Sequence, residues 1–303
     1  VNMALEKDYK FSDYKNLVEE HLLSCLPEID PMSMILYDAM KYSLQAGGKR
    51  IRPVLLLASC DFCGGDINMA IPYALAVEYI HNYSLIHDDL PSMDNDDLRR
   101  GLPSNHKVYG EGMAILAGDG LLTSAFEAMN KDMLLYFDSD SCLKCRVKAA
   151  YEIAKGAGCR GMVAGQATDI EMVSKSACEK LLDYIHINKT GALIVAAIRA
   201  GAHLGDADDK TLQALTNYGE LIGLAYQISD DILDVTGDEA VMGKRKNHDS
   251  GTNKCTYVTI NGVDKSRERV RELTSDALRI MEPYYDNAEF FNELAKSLEV
   301  RIK

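Results

Sequence analysis

Residues 73–101 read YALAVEYIHNYSLIHDDLPSMDNDDLRRG. The first half of this stretch repeats apolar residues at spacings of three and four, the period of a helix packed into a core. Its second half places five aspartates, Asp88, Asp89, Asp94, Asp96 and Asp97, within ten positions. Asp88 and Asp94 are six apart, which on a regular helix leaves them well off a common face. Pro91 changes that: it removes the hydrogen bond to the carbonyl of His87 and kinks or ends the helix. The chain can then turn Asp94 back toward Asp88.

Outward from this stretch the helical period dominates. It is legible over residues 11–25, 33–45, 52–62, 68–90, 113–130, 143–157, 177–203, 208–236 and 264–281. Alternating β-branched runs are almost absent. Pro27, Asp30 and Pro31 separate the first two helices, with Asp30 or Ser33 as N-cap, and Gly47-Gly48 and Gly64-Gly65-Asp66 end the next two. Asp206 or Asp208 caps a later helix, and the one over 177–203 is broken near Lys189-Thr190-Gly191. The polar segment Asp238–Thr252 is expected to be an exposed, mobile loop. With no linker, repeat or low-complexity tract, these features predict an all-α fold, one large helical bundle with long central helices.

The chain has 303 residues, 33 Lys+Arg against 46 Asp+Glu, and a net charge of −13. The average field repels nucleic acid and anionic lipid. No run reaches the roughly 20 apolar residues of a membrane span, and the N-terminus carries charges where a signal peptide is apolar. Eight cysteines do not make a disulfide framework, which points to reduced thiols in a cytoplasmic protein. The pairs Cys60/Cys63 and Cys142/Cys145 have CxxC spacing and could in principle supply a zinc tetrahedron, although they lack knuckle-type flanks; ordinary thiols are the expectation.

A second acidic group lies in YQISDDILD, residues 226–234. Asp230 and Asp234 share a helix face, with Gln227 one turn earlier. An acidic cluster is often no more than a solvated face. Here both clusters sit on strongly apolar helices, where uncompensated charge is costly. Mg²⁺, which bridges a few carboxylates to substrate phosphates, would neutralise them. Cations accompany the acids: Lys49, Arg50 and Arg52 around a helix start, Arg99 and Arg100 after the first cluster, Lys189 at the helix break, and Lys244, Arg245, Lys246 and Lys254 around the polar loop. Such a composition suits a site for two diphosphates with Mg²⁺.

Seven motifs appear in order: GGKRIRP (47–53), LIHDDLPSMDNDDLRRG (85–101), GDGLL (118–122), GQATDIE (165–171), NKTGAL (188–193), YQISDDILD (226–234), and a loop with Gly243, Lys244, Asp249 and Lys254. In these the chain resembles the trans-isoprenyl diphosphate synthases of the polyprenyl synthetase family, from about residue 30 to the C-terminus. The resemblance implies ten or more mostly antiparallel helices around a deep central cavity, a single domain over 1–303, and a homodimer. It implies condensation of isopentenyl diphosphate with an allylic diphosphate, with three Mg²⁺ ions in the loaded site. Carried over, Asp88, Asp94 and Asp230 are metal ligands, with Asp89, Asp231 and Asp234 direct or one step removed. Arg99, Lys189 and Lys244 grip the allylic diphosphate, with Lys254 in the same loop. Lys49, Arg52, His81 and Arg100 bind isopentenyl diphosphate, and Thr190 and Gln227 stabilise the allylic cation.

Tyr83 and Ser84 precede Asp88 by five and four residues, where the family faces the growing prenyl tail. Tyr83 and the DDxxxxD spacing resemble bacterial farnesyl diphosphate synthases; a geranylgeranyl-type synthase is the runner-up. Cys255 and Val258 depart from the usual loop sequence, and the segment before Arg301-Ile302-Lys303, a basic tail expected over the isopentenyl diphosphate, departs from the common aromatic pattern. Two rivals stand beside this reading. His87-Asp88, with His81, also fits the HD pair of an all-α metal phosphohydrolase. A non-catalytic subunit of a heteromeric prenyl synthase is the other, although such subunits often lose one aspartate motif.

Overall fold

A computed structural model describes residues 10–28, 30–172, 179–236, 256–285 and 287–302. Helices α1 (Phe11–His21), α2 (Met34–Gln45), α3 (Ile51–Phe62) and α4 (Ile67–Asp88) open the chain. A short hairpin, β1 (Leu98–Arg99) with β2 (Leu102–Pro103), is followed by α5 (Asn105–Tyr109), α6 (Glu111–Leu135), α7 (Asp140–Ala157), α8 (Met162–Met172) and α9 (Glu179–Ile185). A π-helical turn, His186–Gly191, runs directly into α10 (Ala192–Leu204). The long α11 (Asp209–Thr236), α12 (Tyr257–Asn261), α13 (Val263–Met281) and α14 (Glu289–Arg301) complete it. The expected all-α bundle of more than ten helices is present. The forecast helices recur with ends shifted by a few residues. Those missed are α5, α8, α12 and α14.

The caps follow the side-chain chemistry. Asp30 accepts from the Met32 N–H at 2.8 Å, Asp66 caps α4 through Asn68 N–H at 2.9 Å, and Asp208 caps α11 through Thr211 N–H at 2.7 Å. Asp206 instead occupies a left-handed turn at φ 55°.

The centre of the bundle is α4, which packs along α6 and α3, and α10, which packs on α3, α7 and α11. Tyr73, Leu75, Val77, Tyr79 and Ile80 on α4 are buried, as are Leu193, Ile194, Ala197 and Ile198 on α10. The segment Lys180–Leu204 is long and apolar enough to cross a membrane by length and composition. Its apolar face is spent on this core, so its hydropathy reports packing. Two consequences for the site follow. The C-terminal end of α4 delivers the aspartate-rich turn. Gly223 on α11 lies against Gly191, where a Cβ would stand 3.2 Å from the Gly191 Cα, so α11 passes close over the π turn.

Candidate active site

The first aspartate cluster begins where α4 stops. The Leu90 N–H donates to His87 C=O at 3.1 Å, and the Asn95 N–H reaches back to Leu90 C=O at 3.1 Å. Asn95 takes the left-handed conformation, φ 52°, that this reversal requires. The Asp94 N–H then donates to the Asp88 carbonyl at 2.9 Å. Pro91 thus ends the helix and the chain brings Asp94 back to Asp88, as its position in the sequence predicts. Burial pushes the Asp88 carboxyl up to about 6; Asp94 and Asp89 add to the rise, and Lys189 and Arg99 oppose it. Asp89 is buried and grips the Arg99 guanidinium in a fork, with Asp96 3.3 Å from the same group. Arg99, forecast to hold an allylic diphosphate, is thereby fixed by two aspartates beside Asp88.

Beside this turn lies a nest of arginines around His81. The Arg52 guanidinium is 3.4 Å from His81 Nε2, and its buried Nε has no hydrogen-bond partner among the described residues. Arg100, at φ 55°, donates to the Gly47 carbonyl, and its guanidinium occupies the space a Gly48 Cβ would need, 2.8 Å away. Gly48 sits at φ 136°, a backbone conformation that residues with a side chain rarely adopt. Arg50 has a structural part: it bonds Glu78 at 2.5 Å, Glu19 at 2.9 Å and Leu44 C=O at 2.6 Å, pinning the start of α3. Ser84 Oγ donates to the His81 carbonyl at 2.8 Å. Burial, and then Arg52, Arg100, Arg99 and Arg50, hold His81 well below its ordinary 6.5. His81 is therefore neutral in the folded chain at pH values where the unfolded chain protonates it. The unfolded state then binds more protons, so this group lowers stability as pH falls below 6.5. In a histidine NMR titration the His81 resonance is expected to stay flat through pH 6.5; an ordinary midpoint there would contradict the arginine nest.

The rest of the site comes from α11 and the π turn. Asp230 Oδ1 is 2.6 Å from Arg301, the last residue of α14. Lys49 and Arg301 both lie over the Tyr226 ring, 5.5 and 5.0 Å from its centroid. The basic tail expected over a diphosphate thus rests on the second aspartate motif. Asp231 is buried and turned to protein: Oδ1 accepts from Gln227 Nε2 at 3.0 Å and Oδ2 from the Tyr257 N–H at 2.9 Å. The Thr190 hydroxyl donates to Gln227 Oε1 at 2.7 Å. Asp234 is half-buried one turn beyond Asp230. Lys189 Nζ bonds Asp169 at 2.7 Å and is the chief charge drawing Asp88 down. Lys244, Asp249 and Lys254, with the expected mobile loop, lie outside the described residues.

The sequence reading missed Asp169 and His186. GQATDIE stands out as a motif without revealing its helix; placed on α8, Gly165 and Asp169 share a face. That face meets the π turn, where a Gly165 Cβ would stand 2.1 Å from the Lys189 nitrogen. His186 is buried on the same turn, 3.7 Å from Asp231, and burial lowers it to about 4.

The polyprenyl synthetase family model matches residues 33–289. The chain belongs to the polyprenyl synthetase family. It is 48% identical to a farnesyl diphosphate synthase of Geobacillus stearothermophilus over 235 residues, 78% of each chain. It is 43% identical to a geranylgeranyl diphosphate synthase of Cyanophora paradoxa over 274 residues, 90% of this chain and 89% of that one. Among solved structures, a geranyltransferase of Legionella pneumophila superimposes with a TM-score of 0.84 at 33% identity, covering 96% of both chains. An FPP/GFPP synthase of Zymomonas mobilis gives 0.82 at 31% identity, covering 95% and 96%. The fold is the isoprenoid synthase fold.

The two histidines of the HD reading have other partners in this polyprenyl synthetase. His87 Nε2 lies 3.0 Å from the Ile115 carbonyl, in space left by Gly118, where a Cβ would stand 2.1 Å from it. His81 belongs to the arginine nest. The CxxC thiols Cys60, Cys63, Cys142 and Cys145 are free. Among the described residues no three His, Cys, Asp or Glu side chains are gathered to hold an ion by themselves. Magnesium needs no such cage, because it keeps waters and takes one or two carboxylates plus substrate phosphates. The donor chemistry fits it: Asp88 and Asp94 are hard oxygen donors held together against mutual repulsion, and Asp230 on α11 is another.

Proposed function

We propose that the chain catalyses the Mg²⁺-dependent head-to-tail condensation of isopentenyl diphosphate with dimethylallyl or geranyl diphosphate, giving mainly farnesyl diphosphate. The observation that carries this is the row Asp88, Lys189, Thr190 and Gln227, a carboxylate with a cation beside it and then a pair of hydrogen-bonded oxygens, with Asp230 three residues on from Gln227 along α11. Asp88, Asp94 and Asp230 would hold the metal, with Asp89 and Asp234 behind them. Bound magnesium supplies neutralisation of the charge that develops on the leaving diphosphate. Lys189 and Arg99 add fixed positive charge there. The allylic C–O bond ionises next to Thr190 and Gln227, whose oxygens face the cation. Isopentenyl diphosphate, held by Lys49, Arg52, His81 and Arg100, attacks through its double bond, and the resulting cation loses a proton to the departing diphosphate.

Incubation with labelled isopentenyl and dimethylallyl diphosphates, with and without Mg²⁺, tests the reading by chromatography of the dephosphorylated products. Absence of Mg²⁺-dependent carbon–carbon condensation sinks it. The second reading, a geranylgeranyl synthase, is favoured by the names of relatives such as the Cyanophora protein. Tyr83 supports the shorter product: it is 8% exposed and its ring is braced edge-on by His87, centroids 5.7 Å apart. Tyr83→Ala is expected to move most of the product to longer chains, read in the same assay. An unchanged product distribution would remove Tyr83 as the floor of the prenyl pocket. We read the active form as a cytoplasmic homodimer of the 33.5 kDa chain, with one domain over 1–303; light scattering of the purified protein tests the dimer.

A further inference from the structure

Asp231 belongs to the second aspartate motif, yet its geometry is that of a hydrogen-bond acceptor inside the protein. It is 4% exposed. Oδ1 takes the Gln227 NH₂ at 3.0 Å and Oδ2 takes the Tyr257 backbone N–H at 2.9 Å, the first turn of α12. An ionised carboxylate only accepts, whereas a glutamine amide has one accepting end and one donating end. Gln227 must therefore turn its NH₂ toward Asp231 and its Oε1 away. That oxygen receives the Thr190 hydroxyl proton at 2.7 Å, which leaves the Thr190 lone pairs directed outward.

We propose that Asp231 is a positioning residue that sets the polarity of the Thr190–Gln227 pair, so that two oxygens and not an amide NH₂ face the developing allylic cation. This rests on the prenyl-condensation reading. An NH₂ group in that place would set partial positive charge against the cation, and the cost would fall on the transition state more than on substrate binding.

Gln227 and the Tyr257 N–H both donate to Asp231, and this gives the test its logic. In Asp231→Asn one acceptor and one donor replace two acceptors. With its oxygen kept for the Tyr257 N–H, the new amide directs its NH₂ at Gln227, whose own amide flips and turns its NH₂ on Thr190. In the double variant Asp231→Asn with Gln227→Glu, the glutamate accepts from the asparagine NH₂ and again accepts from Thr190, and the charge of the pair is restored.

The experiment is steady-state condensation with Mg²⁺ for the full chain and its variants. Mn²⁺ binding in the presence of inorganic diphosphate, followed by electron paramagnetic resonance, is the second readout. Asp231→Asn is expected to lose roughly 10- to 100-fold in kcat, the cost of one mismatched polar contact. KM values and Mn²⁺ affinity should stay within about twofold, and the double variant should recover most of the loss. Weakened Mn²⁺ binding in step with kcat would make Asp231 a metal ligand and overturn the proposal. Undiminished turnover in Asp231→Asn, or a double variant no better than the single one, would also overturn it. Should circular dichroism show Asp231→Asn unfolded, Gln227→Glu alone decides: it sets two acceptors against each other and is expected to lose kcat similarly with Mn²⁺ binding kept, and full activity would refute the assignment. A wild-type chain without condensation sinks the functional reading itself, while the variant pattern sinks only the positioning role.

Discussion

Asp88→Asn is expected to abolish condensation while leaving the melting temperature equal to or above that of the parent chain. The residue closes α4 and is held beside Asp94 by the backbone bond at 2.9 Å. Burial and neighbouring carboxylates oppose its ionised form and raise it to about 6. A group raised in this way favours the fold below its unfolded value, and that contribution is lost as pH rises from 3.8 through about 6. At neutral pH the folded chain therefore carries a carboxylate it would be more stable without. An amide has the same shape and no charge to desolvate. It also lacks the charge to hold a divalent cation, and loss of electrostatic stabilisation of this kind costs on the order of 10³-fold in turnover. Product assays alongside thermal melts check both halves. Substantial turnover in Asp88→Asn would contradict its place as a ligand; a marked fall in melting temperature would contradict the argument from burial.

Gly165→Ala is expected to damage both stability and turnover although the residue touches no substrate. A Cβ there would stand 2.1 Å from the Lys189 nitrogen, 2.6 Å from its Cα and 2.8 Å from the Asn188 carbonyl carbon. All three are backbone atoms, so no rotamer change relieves the contact. Either α8 moves out, or the π turn moves and carries Lys189 and Thr190 with it. Overpacking of this kind costs about 1–3 kcal/mol. A shift of the turn by a fraction of an ångström also misplaces the Lys189–Asp169 pair and the Thr190 hydroxyl. The expected result is a melting temperature several degrees lower and at least a tenfold loss of kcat, by order of magnitude. A variant with parental melting and kcat would show that the helix and the turn are not in the contact described.

Much of this fold was legible because helical period and punctuation agree. The stretch around Pro91 gave even the direction of the turn, since a proline at that place has one local effect. The Lys189-Thr190-Gly191 break was also readable, although its form, a π turn with an extra residue per turn, was not; nothing in the residue types separates a π turn from an ordinary interruption. Helix α8 escaped because GQATDIE carries little apolar periodicity: its packing is made by a glycine. The site divides in the same way. Carboxylates and cations announce themselves by type, and the structure sets Asp94 and Lys189 beside Asp88 and joins Thr190 to Gln227. Who pairs with whom did not show. Arg301 and Asp230 are 71 positions apart, Lys189 and Asp169 are 20 apart, and only the packing of α14 and α8 joins them. The sequence reading left Asp231 direct or one step removed from the metal; adjacent helical residues point about 100° apart, and the structure turns Asp231 to Gln227 and the Tyr257 N–H.

The contact between Arg301 and Asp230 makes the second aspartate motif a loaded ion exchanger. The carboxylate carries a counter-ion supplied by α14, so under the proposed metal role a cation arriving there would trade places with a guanidinium instead of filling an empty seat. Each such exchange would free the Arg301 side chain beside Tyr226 and Lys49.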